Sequence, residues 1–359
     1  MFSLAFFILL IYNKSNIKRK VTKNMPNKSL IYDISTEVRF FGRTYERNGE
    51  YFFNWSASGF TFSFIGSGAY ATFTSNVPEQ NQAYIKIYVD GVETSVVKLT
   101  DRQNTVTLAE GLDPQKKHTV KVLKRSNARS SSAALTNLEL FDGEKLMPEP
   151  AKKRLIEFIG DSLTVGYATV AYDATKWSTD TEDPTRTYAE QVASEFDADY
   201  FIVAISGRGV ARNTGGDTDK TLPKIYPFID QYNLPDVPYE FKTQPDVIVV
   251  NLGTNDSSRA NALLTPEEFS EELKSFLQSV RKYNPDARIV YGYGMTSQKL
   301  VKTIQTTVEL LQSEGDDKIS FIAYPKAPKE LIAFGHPTAP AYIPWGEQLI
   351  EEIKRVTGW

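Results

Sequence analysis

The chain has 359 residues, with only two histidines and no cysteine, and this narrows the chemistry it can do. Without cysteine there are no disulfides, thiolate metal sites or thiol nucleophiles. Zinc sites that lack Cys usually take two or three His, and this chain has only His118 and His336, so a zinc enzyme is not expected, nor is a cofactor. Acyl transfer by an activated hydroxyl remains open. Ser162 stands in Gly160-Asp161-Ser162-Leu163-Thr164, directly after a short apolar run. A serine hydroxyl is a weak nucleophile and needs a base to take its proton. His336, in Gly335-His336-Pro337 ahead of the last amphipathic segment, is the candidate base. His118 enters a β segment from Lys116-Lys117 and reads as a surface residue. Taken singly, Ser162 also fits a helix cap, and a lone His is most often a structural residue. The pairing gains weight from the other polar blocks along the chain.

Those blocks need elements to position them. From 151 to 359 short apolar runs alternate with helical segments. Arg154–Ile159, Tyr200–Ile205, Pro245–Asn251, Arg288–Tyr293 and Ile319–Ala323 read as strands. Tyr188–Phe196, Pro266–Tyr283, Val301–Glu314 and Tyr342–Val356 read as helices. Thr265 caps the second helix, Pro266 fits its first position, and Glu267 and Glu268 suit its positive end. Such alternation predicts a parallel α/β sheet covered on both faces. Ligands of these sheets bind beyond the carboxyl ends of the strands. The polar blocks fall at those ends: Gly160–Thr164, Ser206-Gly207-Arg208-Gly209, Gly253-Thr254-Asn255-Asp256 and Gly294-Met295.

Residues 30–148 read differently. Large rings recur at every second position in Tyr51–Trp55 and Phe60–Phe64, and aliphatic residues do so in Tyr84–Val89. Asp90-Gly91 marks a tight hairpin turn. Further strands fit Tyr70–Thr74, Val96–Leu99, Thr105–Leu108, His118–Lys124 and Leu135–Phe141. Many short strands with turns between them predict an all-β sandwich or jelly roll. Pro148-Glu149-Pro150 is the expected linker.

Gly-Asp-Ser-Leu after a strand, Gly-Thr-Asn-Asp after a later one, and His-Pro before the last helix resemble the SGNH (GDSL-type) hydrolase superfamily over residues 154–357. The β domain ahead of it and the Ser-Gly-Arg-Gly loop resemble carbohydrate esterase family two. The resemblance implies a flavodoxin-like SGNH hydrolase domain preceded by a jelly roll. It also implies removal of O-acetyl groups from plant polysaccharide such as xylan. Ser162 becomes the nucleophile and His336 the base. The oxyanion donors become the Ser162 N–H, the Gly207 N–H and the Asn255 amide, with Gly209 an alternative to Gly207. Asp161, Asp256 and Arg208 are expected to buttress these loops. Most superfamily members place Asp three residues before the His, and here that residue is Ala333. The resemblance then implies a Ser–His dyad whose imidazole is oriented by the Phe334 carbonyl. Met295 either lines the acyl pocket or packs in the core. The competing functions are another SGNH esterase, a lipase, a thioesterase, a peptidoglycan deacetylase, or a non-catalytic carbohydrate-binding protein.

A net charge of -3 shows no basic excess, so nucleic acid is not an expected partner. The apolar run Phe2–Tyr12 is too short to span a bilayer, where about 20 residues are needed. Its basic residues follow it instead of preceding it, which makes a poor export signal. Residues 1–29 read as a leader or disordered extension. A start at Met25 implies a cytoplasmic protein, and a working signal implies a secreted one. The acetylated polysaccharide is the expected partner, and the sequence does not indicate an oligomeric state.

Overall fold

The computed structural model describes residues 33–143, 145–172 and 174–359. The segment read as a leader, 1–29, lies outside the described residues.

A short helix, α1 (Ile34–Glu37), leads into an all-β domain. Its strands are β1 (Arg39–Phe41), β2 (Tyr45–Arg47), β3 (Glu50–Phe52), β4 (Gly59–Ile65), β5 (Gly68–Thr74) and β6 (Tyr84–Val89). They continue with β7 (Val92–Lys98), β8 (Gln103–Ala109), β9 (Lys117–Lys124), β10 (Ala134–Phe141) and β11 (Lys145–Pro148). One sheet runs β1-β4-β9-β6-β7, with β11 also paired to β4, and the other runs β2-β3-β10-β5-β8. The period of two in the sequence puts Phe60, Phe62 and Phe64 on one face of β4, where all three are fully buried against Phe53, Phe73 and Leu138. Asp90 and Gly91 take the positive φ angles of a two-residue turn, 50° and 79°, between β6 and β7.

Three expectations change here. Tyr51–Trp55 reads as one strand, but β3 ends at Phe52. Asn54 and Trp55 then turn toward the second domain, where Trp55 Nε1 donates to the Ile229 carbonyl at 2.7 Å and Asn54 Nδ2 to Asp230 at 2.6 Å. His118, read as a surface residue, is 7% exposed. It heads β9 on an inward position, with Nδ1 2.8 Å from Asp90 and its ring against Phe64. Pro148 closes β11, so only Glu149 and Pro150 of the expected linker lie outside a strand.

The second domain begins with β12 (Arg154–Gly160) and the one-turn helix α2 (Ser162–Val165), followed by α3 (Tyr188–Glu195) and β13 (Ala198–Ala204). After α4 (Leu222–Ile225) comes a small hairpin, β14 (Phe228–Asp230) and β15 (Leu234–Pro238), which carries no hydrophobic alternation. The sequence pattern then returns with β16 (Val247–Asn251), α5 (Pro266–Tyr283), β17 (Arg288–Tyr293), α6 (Val301–Ser313) and β18 (Ile319–Ala323). A two-residue hairpin, β19 (Ile332–Ala333) and β20 (His336–Pro337), precedes α7 (Ile343–Thr357). Thr265 and Glu268 form a reciprocal capping box at 3.1 Å in both directions, so α5 starts where the sequence places it. The main sheet is parallel with order β13-β12-β16-β17-β18, the doubly wound order 2-1-3-4-5. Helices α5 and α6 cover one face, and α2, α3 and α7 cover the other.

The two domains share a continuous interior. Trp55 of the β domain packs in the same apolar cluster as Ile248 and Phe276. The buried Arg43 lies 3.4 Å from Glu157 of β12 and between the rings of Tyr226 and Tyr239. Buried Lys86 of β6 donates to Asp183 at 2.7 Å and to Thr185 at 2.8 Å. Cations buried this deeply need such partners, because desolvation alone would cost several kcal/mol each.

Candidate active site

The order of the sheet reverses between β12 and β16, and the crevice outside that switch point is where such sheets hold ligands. Ser162 follows β12, Gly207 follows β13 and Asn255 follows β16, so all three sit at this crevice. Asp161 caps α2: its Oδ1 accepts the Leu163 N–H at 3.0 Å, which sets the turn that presents Ser162. The Asn255 amide ties the loops together, donating to Asp161 Oδ2 at 3.1 Å and to the Arg208 carbonyl at 2.8 Å.

His336 reaches the same point from the far end of the chain. Its Nε2 lies 2.7 Å from Ser162 Oγ. Its Nδ1 lies 3.0 Å from the Phe334 carbonyl, which can only accept, so Nδ1 carries the proton and Nε2 keeps its lone pair toward the hydroxyl. The tight β19–β20 hairpin makes this possible. Phe334 and Gly335 take positive φ angles of 50° and 73°, which turns the Phe334 carbonyl back to the ring. Burial lowers the His336 pKa below its usual value, against the pull of the Phe334 carbonyl. Among the described residues no carboxylate contacts this ring.

The Ser162 and Gly207 N–H groups have no intramolecular acceptor among the described residues. The Gly209 N–H is already committed to Asn213 Oδ1 at 3.3 Å. Gly207 has φ 83°, a conformation that favours glycine. In the resting geometry both Asn255 amide hydrogens are engaged, so donation to an oxyanion requires one of them to be shared. Asp256 accepts the N–H groups of Val210, Ala211 and Arg212 at 3.0, 2.7 and 2.9 Å, which buttresses the loop that carries Gly207. Arg208 holds Tyr232 Oη at 2.7 Å and the Asp219 carbonyl at 3.0 Å. Burial raises both acids beneath the site, Asp161 to about 7, with the nearby Asp256 adding to the shift. Met295 is 1% exposed and packs in the core, its sulfur 3.3 Å from Asn251 Nδ2, so it underlies the crevice without opening into it.

Sequence reasoning passed over an aromatic wall. The Tyr167 ring packs on His336 at 4.3 Å, and Trp177 stacks on the other face of Tyr167 at 4.6 Å and 4°. Trp177 Nε1 also donates to the Tyr167 carbonyl at 3.0 Å. No spacing signal marks these residues, because the segment around them lacks regular structure. Among the described residues no cluster of three or more His, Cys, Asp or Glu side chains could hold a metal ion. No described helix is long and apolar enough to cross a membrane.

A serine at the switch point of a 2-1-3-4-5 sheet with an imidazole 2.7 Å from its hydroxyl is an arrangement that can carry out acyl transfer. Two family models match the chain: the carbohydrate esterase 2 N-terminal domain over residues 40–150 and the GDSL-like lipase/acylhydrolase family over residues 158–342. The chain belongs to the GDSL-like lipase/acylhydrolase family, with the domain plan of carbohydrate esterase family two.

It is 29% identical over 315 residues to a cellulase/esterase of Acetivibrio thermocellus, covering 85% of this chain and 38% of that protein. It is 34% identical over 217 residues to an acetylxylan esterase/glucomannan deacetylase of Cellvibrio japonicus, covering 58% of this chain and 57% of that one. The chain therefore spans less than two thirds of either relative. Among solved structures, a family two carbohydrate esterase from Clostridium thermocellum in complex with cellohexaose superposes with a TM-score of 0.82 at 27% identity, over 90% of this chain and 99% of that one. An acetyl xylan esterase from Butyrivibrio proteoclasticus superposes with a TM-score of 0.85 at 23% identity, over 93% and 100%. At that identity the second match speaks for the fold alone.

Proposed function

We propose that this protein is a serine esterase that removes O-acetyl groups from plant cell-wall polysaccharide, through a Ser162–His336 dyad and an acetyl-enzyme. The observation that carries this reading is the 2.7 Å approach of His336 Nε2 to Ser162 Oγ, with Nδ1 held at 3.0 Å by the Phe334 carbonyl. His336 takes the hydroxyl proton as Ser162 Oγ attacks the acetyl carbonyl. The oxyanion forms opposite the N–H groups of Ser162 and Gly207 and the shared Asn255 amide. Each such donor is worth roughly 2.7–4 kcal/mol in the transition state. The tetrahedral intermediate collapses, the sugar oxygen leaves, and His336 returns the proton to it. Water, deprotonated by His336, then attacks the acetyl-enzyme, and acetate departs as Ser162 regains its proton.

The substrate class rests on the names of the relatives: a protein 34% identical is an acetylxylan esterase/glucomannan deacetylase. The test is Ser162→Ala, assayed on 4-nitrophenyl acetate and on acetylated xylan and glucomannan. The variant should lose at least about 10³-fold in kcat while its melting temperature holds. Near wild-type turnover in that variant would refute the nucleophile.

A further inference from the structure

The rim of the site is not made by the α/β domain alone. After β9 the β domain sends out residues 125–133, and Arg129 of this loop stands over the oxyanion loop. A methyl group placed on Gly207 would lie 3.9 Å from Arg129 Nη1. The Arg129 side chain is exposed, and among the described residues its guanidinium has no hydrogen bond and no ion pair. Its neighbour Arg208 is spent on Tyr232 and the Asp219 carbonyl.

The loop that delivers Arg129 is held by buried groups. Lys124 Nζ, fully buried, donates to the carbonyls of Ser126 at 2.8 Å and Asn127 at 3.1 Å. The Asn127 N–H donates to the buried Glu182 carboxylate at 2.8 Å. Asn127 Oδ1 in turn accepts the Arg129 N–H at 3.1 Å. Arg125 donates to the carbonyls of Glu182 and Asp180. Burying one lysine and one glutamate only to hold a surface loop is costly. The result is a rigid perch for an unpaired guanidinium beside the acyl crevice.

A guanidinium presents a planar fork of donors that matches a carboxylate better than it matches sugar hydroxyls. The acetyl ester is neutral, and backbone N–H groups already face its carbonyl. We propose that Arg129 is a specificity-determining residue of the esterase site, receiving a carboxylate of the polysaccharide, so that the preferred substrate is an acetylated segment bearing uronic acid groups. This rests on the esterase reading above for its chemistry, and the β domain then completes the substrate site.

The test compares an acetylated xylo-oligosaccharide that carries a uronic acid side group with the same molecule after its carboxyl is reduced to the alcohol. At low salt the wild-type kcat/KM should favour the acid by about tenfold, and the preference should shrink in 0.5 M NaCl. In Arg129→Gln the ratio should fall to within about twofold, and Arg129→Lys should keep part of it. The ratio is taken within each variant, so a loss of folded protein cancels. Equal rates on the two substrates in the wild type, or a preference that survives Arg129→Gln, would overturn the proposal. Calorimetric binding of both oligosaccharides to Ser162→Ala reads the same preference without turnover. A wild-type protein that hydrolyses neither substrate but binds the acid better through Arg129 would sink the esterase reading and uphold Arg129 as the carboxylate-binding residue. An active enzyme with no preference would do the reverse.

Discussion

Ala333 occupies the position where a carboxylate would complete a triad, and restoring one tests the dyad directly. Ala333 and His336 are paired across the β19–β20 hairpin. Residues so paired keep their Cβ atoms about 4.5–5.5 Å apart on one face. An aspartate at 333 therefore brings its charge to about 5 Å from the imidazole. At that distance Coulomb's law gives about 1 kcal/mol at a dielectric near 80 and about 3 kcal/mol near 20. Position 333 is half-buried, so a value between these limits applies, about 1.4 kcal/mol, which is one pKa unit. The sign follows from the role of the base. His336 must be neutral to take the Ser162 proton, so kcat/KM falls as pH drops through its pKa. Burial holds that pKa below 6.5 in the wild type. In Ala333→Asp the acid limb of kcat/KM on 4-nitrophenyl acetate should move up by about one pH unit. Ala333→Asn, of the same shape but neutral, should leave it in place. The shift should shrink in 0.5 M NaCl. An active Ala333→Asp enzyme whose acid limb stays where the wild type has it would refute either the base or its tautomer.

Other substitutions probe the loops around this pair. Gly207→Ala puts a Cβ on a residue with φ 83° and 3.3 Å from Thr214 Cγ2. It should cost about 1–2 kcal/mol in thermal melts and lower kcat more than it raises KM. Asn255→Ala removes the two hydrogen bonds that join three loops, and kcat should fall about 10²–10³-fold beyond any change in stability. Asp161 has its carboxyl raised from 3.8 to about 7 by burial, so the folded state binds a proton there that the unfolded chain has released. Its contribution to stability is full at acid pH and is lost as pH rises toward 7. The melting temperature of Asp161→Asn should accordingly depend less steeply on pH between 5 and 7 than that of the wild type.

Elements whose signals are local were legible in the amino-acid order. The parallel strands are near-continuous apolar runs, because both faces of each are buried. Helix α5 carries its cap, its proline and its acidic first turn within four residues of its start. The Asp90-Gly91 turn follows from two adjacent residues that tolerate positive φ. The pairing of Ser162 with His336 was legible because the chain holds only two histidines and both residues stand beside strong local punctuation; the structure brings the two side chains to 2.7 Å.

Contacts between distant segments fix the remaining features. Tyr51–Trp55 alternates like a strand, yet its last two residues leave the sheet because their hydrogen-bond partners, Ile229 and Asp230, lie some 175 residues away. His118 looks solvated beside two lysines, but the inward register of β9 and the Asp90 carboxylate bury it. Tyr167 packs on the imidazole with Trp177 stacked behind it, and Arg129 overhangs Gly207 from another domain, without any spacing to announce them. Local pattern records the periodicity of one element and the chemistry of its ends. A contact between distant segments depends on how sheets twist, how domains dock and which buried charges find partners, and none of these leaves a repeat along the chain.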